Sequence, residues 1–410
     1  MHDSIGTFLS EFISIFSNKN NPFYKIWFTL FPYGANLFMK TNTNKGEVIS
    51  KVSRVNRTSI TLAFAYISFI VGAGFSTGQE ILQFFANHGI WGYATAVTAG
   101  LLITLVGMQI SKLGFILGSE DYALSLNQLF GTKIGKVFDY LLVFFFYGLS
   151  VIMIAGTGSA FYDGFGLPAW LGTLFTVILL FIVLQFDFTS VAKILGIITP
   201  FLIVAVFIIA GLSILSPNVP LSEVEQHTDI DRTPSGIWVW DAITYAGLVI
   251  ANSFGYLVIM GAASKNQMIS KKGIMFGGII FTILLLLMTA GLIANLEIAN
   301  QADMPTLMMA NEIHPGLRIL MTVIMVGVMF NSVIGVLYPF LTRFTKSYSV
   351  NYRIMLGVSL ILAFILSFVG FVDLVNFFYP IFGYIGIFIS IAFLVLWIRA
   401  KYTGKRISKH

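Results

Sequence analysis

Long apolar stretches separated by short polar breaks run through the chain from residue 58 almost to its end. A transmembrane α-helix needs about 20 consecutive, mostly apolar residues. Only 10% of the residues are charged, against about 25% in a soluble domain. The sequence therefore predicts an all-α integral membrane protein with ten transmembrane helices. Their expected bounds are 58–84, 90–117, 134–161, 168–186, 190–215, 237–263, 271–297, 316–344, 353–371 and 373–399.

The positions of lysine and arginine predict how these helices are oriented. Positively charged loops stay on the cytoplasmic side of a membrane protein. After residue 50, one set of alternate breaks and the tail hold 18 basic residues, and the opposite set holds only Arg232 and Arg318. We therefore expect a multi-pass protein of the cell membrane with both termini in the cytoplasm. The net charge of +6 belongs to these loops and does not indicate a nucleic-acid partner.

The chain divides into three expected regions. Residues 1–57 are interpreted as a poorly ordered or interfacial cytoplasmic leader, residues 58–400 as the ten-helix domain, and residues 401–410 as a basic cytoplasmic tail. The absence of cysteine excludes disulfides and thiolate metal sites. Since no group of acid, base and metal-binding residues stands out, the sequence does not indicate an enzyme.

Glycine residues weaken the middle of the first predicted helix. Three of them lie within seven positions, from Gly72 to Gly78, and each lowers helix propensity by about 1 kcal/mol relative to alanine. Thr77 and Glu80 have the spacing of a capping box, which marks the start of a helix. We therefore expect an unwound stretch from Gly72 to Ser76 and an outer half-helix that begins near Thr77.

The sixth predicted helix has a second candidate interruption near its midpoint, at Asn252, Ser253 and Gly255. Non-helical backbone inside a membrane is tolerated only where it is buried in protein or lines a cavity. Paired interruptions in two halves are typical of inverted-repeat secondary transporters. The halves, 58–215 and 237–399, contain five helices each and must run in opposite directions. We therefore predict a 5+5 inverted repeat; close helix packing through glycine is the alternative.

A short string in the first helix carries a resemblance to a known family. The nine residues GAGFSTGQE, from Gly72 to Glu80, are similar to the corresponding string of the YkvI-like bacterial membrane proteins. Ten helices with a G-x-G run in the first also resemble the LeuT fold of the amino acid-polyamine-cation superfamily. The resemblance covers about residues 58–400 and implies a substrate site between the first and sixth helices.

The interrupted backbone is the expected substrate site. Unpaired backbone N–H groups from Gly72 to Ser76, at the positive end of the outer half-helix, can bind a carboxylate, and unpaired carbonyls can bind an ammonium group or a metal cation. The resemblance implies substrate contacts from Gly72, Ala73, Gly74, Asn252 and Ser253. It also implies that Tyr147, midway along the third helix, lines the pocket. Ordinary packing is the alternative for the glycines and for Tyr147.

Several residues are candidates for coupling transport to an ion. Glu80 is the only acid near the middle of the first helix, and an ionisable group at that depth is a functional candidate. The resemblance implies two further arrangements. A sodium ion would be held by Val71, Gly74 and Ser332, with Asn331 beside it, or Lys193 would occupy the place of that ion. The alternatives are that Glu80 only caps a helix, Ser332 bonds its own backbone and Lys193 extends to the cytoplasmic surface.

Asp241 and Asp373 lie near the outer ends of the sixth and tenth helices, where they form a candidate gate or simply solvated helix ends. The predicted function is secondary active transport of a small zwitterion, most simply an amino acid, by alternating access. A ligand sensor on the same scaffold, without translocation, is the alternative. No cofactor other than a coupling sodium ion or proton, and no obligatory protein partner, is expected besides the substrate and the lipid bilayer.

Overall fold

The computed structural model describes residues 59–403, except 61, 65, 68, 119–121, 186–197 and 265. Its regular secondary structure is helical, and the described residues contain no strand. The predicted leader, and residues 404–410 of the predicted tail, lie outside the described part of the chain.

The first predicted span is a series of short helical pieces. Residues 59–70 are helical where they are described. Two short helices follow, α1 (Ala73–Thr77) and α2 (Gln79–Phe84), and then a 3-10 turn at Ala86–His88. The remaining helices are α3 (Trp91–Leu117), α4 (Tyr122–Phe165), α5 (Ala169–Val183), α6 (Ile198–Leu215), α7 (Trp238–Ala262), α8 (Gln267–Ile293), α9 (Leu296–Ala299), α10 (Pro305–Ile313), α11 (Pro315–Phe344), α12 (Val350–Leu366) and α13 (Phe371–Thr403).

Seven of the described helices, namely α3, α4, α7, α8, α11, α12 and α13, contain stretches long and apolar enough to cross a membrane. The apolar helices α5 and α6 are shorter. These features show a multi-pass membrane protein. The count of ten spans stays a prediction, because the first span is broken and residues 186–197, between α5 and α6, lie outside the described residues.

Helix α7 corrects the prediction for the sixth span. It is continuous from Trp238 to Ala262, so the expected interruption at Asn252 and Ser253 is wrong. The Ser253 hydroxyl donates to the carbonyl oxygen of Val249 at 2.7 Å, which is a common arrangement for serine in an apolar helix. Polar residues in this sequence therefore sit inside a regular helix without breaking it.

Glycines allow α7 to lie close to α13. A Cβ at Gly386 would overlap the carbonyl oxygen of Gly247, and a Cβ at Gly247 would overlap that of Gly383. The same device joins α3 to α7, where a Cβ at Gly261 would overlap the carbonyl oxygen of Ser111. Helices in a membrane gain little from hydrophobic burial against one another, so close packing of small residues is a main source of their attraction.

Polar contacts connect the helices at the two ends of the bundle. At one end, which we call the Asp241 end, Asp241 contacts His88 and Asn87 hydrogen-bonds Asn300 near α9 at 2.9 Å. At the opposite end, Arg343 of α11 pairs with Asp139 of α4. The sequence predicts that the Asp241 end is extracellular, and that orientation stays a prediction. The sequence does not predict the short helices α9, which begins at the end of the predicted seventh span, and α10 as separate elements.

Replacing Gly386 with leucine is expected to destabilise the bundle, because the new side chain would collide with the α7 backbone. Overpacking of this kind costs about 1–3 kcal/mol or more. The matched control is Gly211→Leu, since a Cβ at Gly211 has no atom within 4 Å. Thermal unfolding of the purified variants in detergent should show a lower melting temperature for Gly386→Leu only. Equal melting temperatures would contradict the close α7–α13 contact.

Candidate functional site

The first span leaves helical geometry twice. Gly72 has extended backbone (φ −93°, ψ −161°), and Gly78 lies in the left-handed region (φ 80°, ψ −10°). Glycine adopts a left-handed φ without steric cost. The sequence predicts an unwound stretch from Gly72 to Ser76, but most of that stretch is the helix α1, and the breaks lie at its two ends.

Thr77 does not form the predicted capping box. Its hydroxyl accepts a hydrogen bond from the N–H of Gln79 at 3.1 Å and donates to the carbonyl oxygen of Gly74 at 2.8 Å. The residue that precedes α2 is Gly78, and α2 begins without a side-chain cap. The left-handed turn at Gly78 makes Gly78, and not Thr77, the residue that precedes α2. The Glu80 side chain therefore does not accept a hydrogen bond from the backbone N–H of Thr77, as a capping box would require.

The carboxylate of Glu80 turns into the bundle and lies against Gly74. The Tyr245 hydroxyl of α7 donates to its Oε2 atom at 3.3 Å. A Cβ at Gly74 would overlap Glu80 Oε1 and lie 2.7 Å from the Tyr379 hydroxyl of α13. Gly74 therefore leaves the space in which one carboxylate and two phenol groups meet. We call Gly74, Glu80, Tyr245 and Tyr379 the Glu80 cluster.

The surroundings of the Glu80 cluster are apolar. The side chains of Tyr245 and Tyr379 are fully buried, and the rings of Phe84 and Phe85 pack on Tyr245 with centroids 5.3 and 4.7 Å away. Of the ion pairs formed by the described residues, none includes Glu80. A carboxylate in such surroundings is costly when charged and uncompensated. A proton or a cation bound to Glu80 would lower this cost.

The break at Gly72 lies next to Ser332 of α11. A Cβ at Gly72 would lie 3.8 Å from Ser332 Oγ. Val71 is buried beside the break, and its N–H still donates to the carbonyl oxygen of Ile67 at 2.8 Å. The side chains of Asn331 and Ser332 are partly exposed. The structure thus brings Ser332 close to Gly72. The sodium site predicted at Val71, Gly74 and Ser332 stays a prediction.

Other predicted site residues lie apart from the Glu80 cluster. Tyr147 donates to the carbonyl oxygen of Ser359 at 3.0 Å and stacks on Phe340, with ring centroids 4.9 Å apart. It therefore joins α4 to α11 and α12. Ser76 is buried within α1, whereas Asn252 of α7 is partly exposed. Lys193 lies outside the described residues.

The two aspartates of the predicted gate have different surroundings. Asp241 is fully buried; its carboxylate lies 2.9 Å from His88 Nε2 and accepts from the Ser235 hydroxyl at 2.7 Å. Asp373, in the first turn of α13, is exposed. The structure therefore pairs Asp241 with His88, which the sequence did not single out.

The tyrosines of the Glu80 cluster were also missed by sequence reasoning. The chain contains 16 tyrosines, and nothing in the local sequence distinguishes Tyr245 or Tyr379 from the others. The available signal is indirect: a buried tyrosine usually finds a partner for its hydroxyl, and Glu80 is the only acid in the first span. Within the described residues, no group of three or more His, Asp or Glu side chains is arranged to hold a metal ion.

Comparison with known sequences identifies two similar bacterial proteins. The chain is 27% identical to the uncharacterised membrane protein YkvI of Bacillus subtilis (strain 168) over 333 residues, which covers 81% of this chain and 93% of YkvI. It is 24% identical to the uncharacterised protein YyaD of the same organism over 335 residues, 81% of this chain and 95% of YyaD. No protein-family model matches the chain.

Comparison with solved structures shows which known fold the chain shares. A point mutant of a manganese transporter from Eremococcus coleocola superposes with a TM-score of 0.58 at 15% identity, covering 92% of this chain and 85% of the transporter. The same transporter in complex with an aromatic bis-isothiourea substituted compound gives a TM-score of 0.53 at 15% identity, with 90% and 84% covered. The similarity to the YkvI-like membrane proteins that the string from Gly72 to Glu80 predicts is thereby confirmed, in a fold that the chain shares with a solved manganese transporter.

Proposed function

We propose that this protein is a secondary active transporter of a small zwitterion, most simply an amino acid, and that the substrate binds at the break in the first span. The observation that carries the proposal is the Glu80 carboxylate, set against Gly74 with two tyrosine hydroxyls inside an apolar bundle. A single ionisable group at membrane depth is a functional candidate. The shared fold with a transporter supports the same assignment.

The chemistry of the Glu80 cluster suits an ammonium group. A carboxylate accepts hydrogen bonds with both oxygens, and an ammonium group donates three. The Tyr245 hydroxyl, which donates to the same carboxylate, would hold it in place. The substrate carboxylate would then face the backbone N–H groups of Gly72 and Ala73, on the side of the break nearer to Ser332.

The substrate is proposed to be organic, although the solved structures with this fold are of a manganese transporter. One carboxylate balances the single charge of an ammonium group. Divalent cations such as manganese prefer several carboxylate, carbonyl or water oxygens. The second and third polar groups of the Glu80 cluster are neutral phenols: the Tyr245 hydroxyl donates a hydrogen bond to the carboxylate, and the Tyr379 hydroxyl lies beside Gly74.

Two coupling ions fit the residues around the break. A proton would bind to the Glu80 carboxylate in the state without substrate, since a protonated carboxyl no longer balances an ammonium group. A sodium ion would bind instead to the carbonyl oxygens of Val71 and Gly74 and to the Ser332 hydroxyl. Alternating access requires that each end of the bundle opens in turn. We assign the His88–Asp241 contact to closure of the Asp241 end, since it joins the 3-10 turn after α2 to the first turn of α7.

A ligand screen tests the proposed substrate class. We expect the purified protein to be stabilised against thermal unfolding by one or a few of the twenty amino acids, because a ligand that binds only the folded state raises its stability. The screen is run with and without sodium and includes manganese chloride. Stabilisation by manganese alone would contradict an amino-acid substrate. Liposomes loaded with the identified ligand should then show counterflow; binding without counterflow would indicate a sensor.

Replacing Glu80 with glutamine should reduce substrate affinity about ten- to hundredfold, since a hydrogen bond to a charged group contributes about 1.5–3 kcal/mol. The matched control is Glu297→Gln, an exposed acid on α9. Both variants are reconstituted, and uptake is measured under a pH gradient and under a sodium gradient. Wild-type uptake by Glu80→Gln under either gradient would contradict the proposed site. In the wild-type protein, uptake driven by only one of the two gradients would identify the coupling ion.

Replacing Gly74 with alanine should abolish high-affinity binding with the fold intact. The new methyl group would overlap the Glu80 carboxylate. Because the Glu80 side chain is flexible, it can move away without unfolding the protein, but its carboxylate would then leave the binding position. The control is Gly335→Ala in α11, where a Cβ meets nothing within 4 Å. Binding is measured by calorimetry and folding by size-exclusion chromatography. Unchanged affinity in Gly74→Ala would argue against a substrate at the Glu80 cluster.

A further inference from the structure

A groove runs between the last turns of α3 and the first turns of α8. Its volume is about 340 Å³, and it is lined by Met108, Gln109, Lys112, Gln267, Met268 and Lys271. It lies on the outside of the bundle, toward the end opposite Asp241, and it shares no residue with the Glu80 cluster. The proposed transport function makes no use of it.

The groove carries two positive charges without acidic partners. Lys112 and Lys271 are both exposed, and neither belongs to an ion pair in the described part of the chain. Gln109 and Gln267 add amide N–H donors to the same lining. Ammonium groups and amide N–H groups are donors that suit an anion with several oxygen atoms, such as a phosphate group.

A hydrogen bond next to the two lysines joins the helices that form the groove. Ser111 and Ser270, next to the two lysines in sequence, share a buried hydrogen bond between α3 and α8. Further along the same two helices, a Cβ at Gly278 would overlap Thr104, so the backbones approach closely. Because α3 and α8 are joined in this way, the lysines project from a rigid base.

Apolar side chains lead from the groove into the region of the bilayer. On α3, Leu101 and Leu105 are 57% and 54% exposed, and they continue the helical stripe of Met108 and Lys112. On α8, Phe276, Ile279 and Ile283 form a second stripe and are 40 to 50% exposed. A free inorganic ion would make no contact with these stripes. The acyl chains of a phospholipid would pack against them, because they extend into the membrane from the headgroup.

We propose that this groove binds an anionic phospholipid, with the headgroup phosphate between Lys112 and Lys271 and the acyl chains along the two apolar stripes. The distribution of basic residues predicts that the groove faces the cytoplasm, where anionic lipids are concentrated and where basic pockets between transmembrane helices bind their headgroups. The bound lipid would bridge α3 and α8. This site is independent of the proposed transport function.

The experiment compares lipids with matched acyl chains. Phosphatidylglycerol, phosphatidylcholine and inorganic phosphate are titrated separately into the full-length protein in detergent, and the thermal shift gives an apparent affinity. We expect a saturable shift with phosphatidylglycerol only. In the double variant Lys112→Gln/Lys271→Gln the apparent affinity should fall about thirtyfold, since each lysine near an anionic headgroup contributes about a factor of five.

The control is Lys133→Gln/Lys136→Gln, which removes two exposed lysines of α4 on the same predicted side of the membrane. It should retain the wild-type affinity for phosphatidylglycerol. The single variants Lys112→Gln and Lys271→Gln should each lose about fivefold, so the test does not depend on the double variant alone. An equal shift with phosphatidylcholine, an equal shift with inorganic phosphate, or an equal loss in the control would overturn the proposal.

Discussion

The structure depends on the requirement that backbone N–H and C=O groups inside a membrane find partners within the protein. The first span breaks at Gly72 and Gly78. Breaks of this kind are tolerated in a membrane only where neighbouring helices shield the backbone from lipid. Four helices shield the broken segment: α10 and α11 contact α1, and α7 and α8 contact α2. The short helix α1 keeps backbone hydrogen bonds such as that from the Ser76 N–H to the Gly72 carbonyl oxygen, and the turn at Gly78 brings the Glu80 carboxylate against Gly74.

The Glu80 cluster forms because α7 and α13 lie close together. Tyr379, Gly383 and Gly386 are spaced by four and three residues, so they share one face of α13. The two glycines of this face contact the α7 backbone at Gly247, and that contact brings Tyr379 near the break. An interface of small residues, which in a soluble protein would be a minor packing detail, here places a hydroxyl beside the carboxylate.

Sequence reasoning was most accurate where hydropathy alone decides. The predicted eighth span, 316–344, agrees with α11 at Pro315–Phe344 to within one residue, because a long apolar run between polar breaks has few alternatives in a membrane. It was wrong where two local structures have similar free energies. Thr77 and Glu80 have capping-box spacing, but the left-handed turn at Gly78 shifts the start of α2 to Gln79. Asn252 and Ser253 lie within the regular helix α7, where the serine hydroxyl bonds the carbonyl oxygen of Val249.

The sequence by itself determined that this is a helical membrane protein, that its first span is weakened by glycines, and that one acid lies within that span. Apolar length and glycine propensity are local properties, so they act without knowledge of the rest of the chain. Only the tertiary structure decided what Glu80 meets. Tyr245 lies 165 residues away in sequence and Tyr379 still farther, and their approach depends on how α7 and α13 are rotated and tilted. Those angles are set by side-chain packing between helices, which hydropathy does not encode.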